Sequence, residues 1–226
     1  MEWYDPKCFF VDNFSQYLLK FISERVEIAG QTNSDKWSLF FQKVVDWKKL
    51  FFISAEPVEI YGVNGWYVDL EFSRYRCLDY AMLQMEEYVA VLLMIELLIS
   101  CDGDANEYKC IENTEFEDYF HIYYNLPAKE YAVLTNQQLC NELQHLYDSS
   151  FERFQHYIDW SGSENTKVIK TLKEQYPVFQ GYLDFFRHNL KEGGKIIRLN
   201  SYERDESWYI VPTESAVFLI SVREII

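Results

Sequence analysis

The sequence predicts an α+β fold, a mainly helical body carrying a small antiparallel β-sheet, in one domain spanning residues 1–226. Three observations lead there. Apolar residues recur at helical spacing over most of the chain. An alternating pattern flanks Asn64-Gly65, and three β-rich pieces follow one another near the C-terminus. No repeat, low-complexity tract or composition break marks a linker. Apolar residues make up 49% of the chain and charged residues 25%, which excludes disordered, collagen-like and rod-like classes.

From the N-terminus, Asn13 is placed to cap a helix bearing Phe14, Tyr17, Leu18, Phe21, Ile22 and Ile28, with Gly30 as its stop. Asn33 or Ser34 caps a second helix, whose apolar face is Trp37, Phe40, Phe41, Val44 and Phe51. Val58, Ile60, Val68, Leu70 and Phe72 alternate around Asn64-Gly65, the signature of a hairpin near 58–72 closed by a type I′ turn. A long helix is expected from about Arg74 to Ser100, apolar nearly all round in its second half and therefore central.

Acidic residues then interrupt the pattern, and the aromatic run Tyr119–Leu126 reads as a short strand ending at Pro127. Thr135 and Gln138 have the spacing of a capping box. They open a helix whose apolar face is Leu139, Leu143, Leu146, Tyr147, Phe154 and Ile158, ended by Ser161-Gly162-Ser163. One or two further helices run to Lys191, bent near Pro177, and Gly193-Gly194 closes the helical region. The β-rich pieces are Lys195–Asn200, Trp208–Val211 and Ala216–Val222.

Charge narrows the function. The chain carries 36 acidic and 21 basic residues, a net of −15. Residues 54–125 hold 15 acids and three bases, so −12 of the total lies in the middle third. Such a balance argues against nucleic-acid binding, which depends on neutralising phosphates, and against anionic membrane surfaces. The most apolar stretch, Tyr88–Ile99, is too short to span a bilayer and contains Glu96. The N-terminus lacks the pattern of a secretory signal, and five cysteines without a CxxC pair suit reduced thiols. Together these point to a cytoplasmic protein.

Asp102-x-Asp104-x-Asn106 begins like a calcium loop, but Glu107 and Asn113 stand where Gly and Glu are required. Glu142-x-x-His145 matches half of a carboxylate-bridged di-metal site and has no second half. Asp69-x-Glu71 places two carboxylates on one strand face, as in Mg²⁺-dependent hydrolases, without the accompanying Lys or Gly-Ser loop. No nucleophile elbow, phosphate loop or dinucleotide fingerprint occurs. The expectation is no catalytic residue, no metal and no cofactor.

What the pattern favours is a non-enzymatic binding protein that sequesters a basic protein partner. The closest class is the toxin-neutralising bacterial immunity protein, its partner a nuclease-type toxin; no stretch carries a family signature. The expected contact surface is Asp102, Asp104, Glu107, Glu112, Glu115, Phe116, Glu117, Asp118, Tyr119 and Tyr123, where acids alternate with the aromatics favoured in interface cores. The alternatives are a metal-dependent hydrolase using paired carboxylates, and a scaffold or regulatory domain.

Overall fold

Apolar residues three and four apart build the first two helices. The computed structural model describes residues 14–61, 67–77, 85–101, 113–123, 131–161, 166–200 and 206–225. Helix α1 (Phe14–Arg25) buries Leu18, Phe21 and Ile22. Helix α2 (Asn33–Phe51) buries Trp37, Phe40, Val44, Trp47 and Phe51. Its N-cap is Thr32, one residue before the expected Asn33, with the Thr32 side chain accepting from the Asp35 amide. Asn33 is thereby released for a tertiary bond described below.

Strands β1 (Phe52–Tyr61) and β2 (Tyr67–Arg76) form the expected antiparallel hairpin, longer than 58–72. Tyr61 stands opposite Tyr67, so the pairing is centred on Asn64. The Asn64-Gly65 pair itself lies outside the described residues, as does Asn13.

The long helix expected from Arg74 begins later. Residues up to Arg76 belong to β2, because the β6 partners from Ala216 onward extend the ladder that far. Helix α3 is Met85–Cys101, with every residue from Tyr88 to Ile95 buried. Helix α4 (Phe116–Tyr123) replaces the strand expected from Tyr119: Phe116, Tyr119 and Phe120 are all buried, a helical repeat.

A four-residue strand, β3 (Tyr131–Leu134), precedes α5 (Asn136–Ser161). The capping box forms as read. The Thr135 amide donates to Gln138 Oε1 at 2.8 Å, and the Gln138 amide donates to Thr135 Oγ1 at 3.2 Å. Helix α6 (Thr166–Asn189) runs through Pro177 as one element. Gly193, at φ 71°, turns the chain into β4 (Ile196–Asn200), followed by β5 (Glu206–Pro212) and β6 (Ala216–Ile225).

The six strands among the described residues join one antiparallel sheet in the order β1-β2-β6-β5-β4-β3. The sheet is not a small appendage to a helical body; it is the middle layer of a mixed α+β fold. Alternation divides its side chains. Val217, Leu219, Trp208, Ile210, Ile197 and Leu199 pack with α1–α4. Phe218, Ile220, Tyr209, Val211, Leu70 and Phe72 pack with α5 and α6. Proline at position 57 sits in β1, an edge strand, where a missing amide is tolerated.

Candidate functional site

Helix α2 fixes the end of the acidic segment. Asn33 Oδ1 accepts from the Phe116 amide at 2.8 Å, capping α4 from another helix, while Asn33 Nδ2 donates to the Thr114 carbonyl at 3.0 Å. Trp37 Nε1 donates to the same carbonyl at 3.0 Å. Phe116 packs edge-on against Trp37 with ring centroids 4.9 Å apart and against Phe40 at 5.6 Å, and Tyr119 meets Trp37 at 5.3 Å. Phe116 and Tyr119 are thus core residues under α2. Their burial leaves the outward side of residues 113–119 to its acids.

Glu115 and Asp118 are exposed. Glu117 is drawn into an ion pair with Lys36 Nζ at 2.6 Å. Partial burial works against its charged form. The hydrogen bond and charge of Lys36, its own amide and nearby His121 outweigh that, holding the carboxyl below its usual range. Glu117 and Asp118 also occupy the first turn of α4, where negative charge is favoured by the helix dipole. Tyr123 closes α4. Asp102, Asp104, Glu107 and Glu112, with the calcium-like loop, lie outside the described residues.

A second group of polar residues runs along β2. Asp69, Glu71, Ser73 and Tyr75 alternate along the strand and so share the face covered by α3. The expected placement of Asp69 and Glu71 on one face holds. Asp69 and Glu71 are half-buried, Ser73 and Tyr75 fully buried. Across the sheet, Asp69 stands between Glu59 and Arg223, and Glu71 between Pro57 and Ser221. Helix α3 contributes Glu96, only 8% exposed, to the same place. Ser73 Oγ lies 3.2 Å from Glu71 Oε1 and 3.2 Å from Glu96 Oε2. Among the described residues, the Tyr75 hydroxyl is buried with no well-formed hydrogen bond, although the Ser73 hydroxyl lies close enough to favour its ionised form. Desolvation first, and then the Glu96 carboxylate, push its ionisation well above the ordinary phenol range.

Glu96 is the member that sequence reasoning missed. Its signal was legible: one acid inside an apolar helix requires polar company on the element it packs against.

The remaining candidates are absorbed into the fold. Glu142 accepts from Arg198 at 3.0 Å and from the Tyr209 hydroxyl at 3.2 Å, and His145 beside it is exposed. His121 Nδ1 shares a 2.9 Å hydrogen bond with Ser15. Among the described residues, no group of three or more His, Cys, Asp or Glu is placed to hold a metal ion, and no helix is long and apolar enough to cross a membrane. No family model, curated protein or solved structure matches the chain.

Proposed function

We propose that this chain is a non-enzymatic acidic binding protein that sequesters a basic protein partner, with residues 102–118 contributing to the contact surface. The observation that supports this most is the division of labour at 113–118. The aromatics are spent on the core, and the backbone is clamped by Asn33 and Trp37, while Glu115 and Asp118 face outward on a fixed support. Fixed charges of one sign speed the encounter with a complementary surface and disfavour others, at little ordering cost. A toxin directed at nucleic acid fits this chemistry, because its own target requires a basic surface. On this reading the chain acts as an immunity-type neutraliser.

The test is kinetic. With a basic protein recovered in stoichiometric complex, association measured by surface plasmon resonance should slow as salt rises, and dissociation should change less. Glu115→Gln with Asp118→Asn should lower the on-rate at low salt. An on-rate equal to wild type would reduce the acidic segment to a solubility feature.

A further inference from the structure

Helix α2 buries one face and leaves another open. Trp37, Phe40, Val44, Trp47 and Phe51 point into the core. Leu39, Lys43, Asp46 and Leu50 follow one another at intervals of four, three and four residues on the other side. At 3.6 residues per turn they fall within about 60° of one another, a single stripe. Leu39 is 38% exposed and Leu50 43%. Ile53, just past the helix, is 43% exposed, because the pairing of β1 with β2 skips it between Phe52 and Ser54. Three of the five exposed large hydrophobic side chains among the described residues thus gather on α2 and its end. Scattered singly they would need no explanation; gathered on one element they do.

Charge points the same way. In a chain of net −15, helix α2 carries Lys36, Lys43, Lys48 and Lys49 against Asp35 and Asp46, four bases less two acids. Net charge drives copies of the chain apart, so a contact between them needs a locally basic or neutral face, and α2 provides one. Lys43 has no ion pair among the described residues, its Nζ lying 5.7 Å over the Trp47 ring. Asp46 makes only exposed contacts, 3.4 Å from Gln42 Nε2 and 3.9 Å from Lys49 Nζ.

Along the stripe the order is apolar, cation, anion, apolar. Turned end for end it reads apolar, anion, cation, apolar, which is its own electrostatic complement. A two-fold axis between positions 44 and 45 sets Leu39 against Leu50 of a second copy and Lys43 against Asp46, then repeats both pairs on its other side. We propose that two copies of this chain associate through α2, packed antiparallel about this axis. The leucines supply apolar contact, and the two crossed Lys43–Asp46 pairs fix orientation and register. The open face of a 19-residue helix, about 28 Å long, is small for a stable interface, so the dimer belongs to the weak, reversible class. This inference is independent of the partner-binding reading, because the chain alone tests it.

Sedimentation velocity of the full chain, from about 1 to 500 µM in physiological salt, should show a reversible shift from monomer to dimer mass. Leu39→Ala with Leu50→Ala should raise the dimer Kd about tenfold or more at an unchanged Tm, since both side chains are exposed. Lys43→Asp alone and Asp46→Lys alone each set like charges face to face and should do the same. Together they restore opposite charges across the axis, so the double variant should return to within about threefold of wild type. Monomer mass at every concentration overturns the proposal. A dimer insensitive to the single charge reversals also overturns it, as does a double variant no tighter than either single one.

Discussion

Phe116→Ala is the most direct probe of which residues of the acidic segment face inward. The ring is fully buried and touches Trp37, Phe40 and Phe120, with centroids 4.9, 5.6 and 5.1 Å away. Returning its apolar surface to water forfeits about 2–3 kcal/mol. Lost ring contacts and the cavity left under α2 bring the total to about 3–5 kcal/mol. For a chain of this size that is a fall in Tm of about 6–20 °C. Urea unfolding followed by far-UV circular dichroism measures it directly, as a lower midpoint at unchanged slope. Phe116→Leu should recover part of the loss. Glu115→Gln, one residue away and exposed, should change stability by less than about 0.5 kcal/mol. A Phe116→Ala loss below about 1 kcal/mol would refute the burial, and with it the assignment of the outward surface to the acids.

Three further outcomes follow from particular contacts. Thr135→Ala should cost about 1 kcal/mol by removing the cap of α5, while Thr135→Ser retains most of it, as read from urea midpoints. Gly194→Ala should destabilise the α6–β4 connection, because a Cβ there would meet the Lys191 carbonyl oxygen and the Pro212 ring at 2.9 Å; an unchanged Tm would contradict that approach. Glu117 has a lowered folded pKa, so its pairing with Lys36 contributes above the ordinary carboxylate range and is lost as pH falls through the folded value. With Glu117 about half exposed, the effect should be well under 1 kcal/mol. The acid limb of a pH–stability profile should therefore flatten slightly in Lys36→Met; a steeper limb would be the wrong sign.

The C-terminal strands, the capping box at Thr135 and the buried faces of α1 and α2 were legible because each is encoded locally, by alternation, by side-chain capping or by 3.6-residue spacing. The misread elements depended on partners distant in sequence. Ser73–Arg76 is compatible with a helix until β6 is laid beside it, so local alternation ends β2 at Phe72. β3 was missed because four residues carry too little pattern without β4. Aromatic content from Tyr119 onward favours a strand, although Phe116, Tyr119 and Phe120 hold the helical repeat. The same aromatic content favours Phe116 and Tyr119 as contact residues, whereas both rings are buried in the core. Asp69 and Glu71 share one face as the alternation predicts, but the approach of Glu71 and Glu96 to Ser73 joins positions far apart in the chain, which no local rule reveals.

The central claim, capture of a basic protein by the acidic middle, is tested most directly by purifying the tagged chain from its own cells at low ionic strength. Wild type and the Glu115→Gln, Asp118→Asn variant are carried side by side, with native mass spectrometry of each eluate. Capture by the acidic middle should give a 1:1 complex with one basic protein for wild type and a reduced yield of that complex for an equally stable variant. Wild type eluting alone, or the same complex recovered in equal yield from the variant, would contradict it.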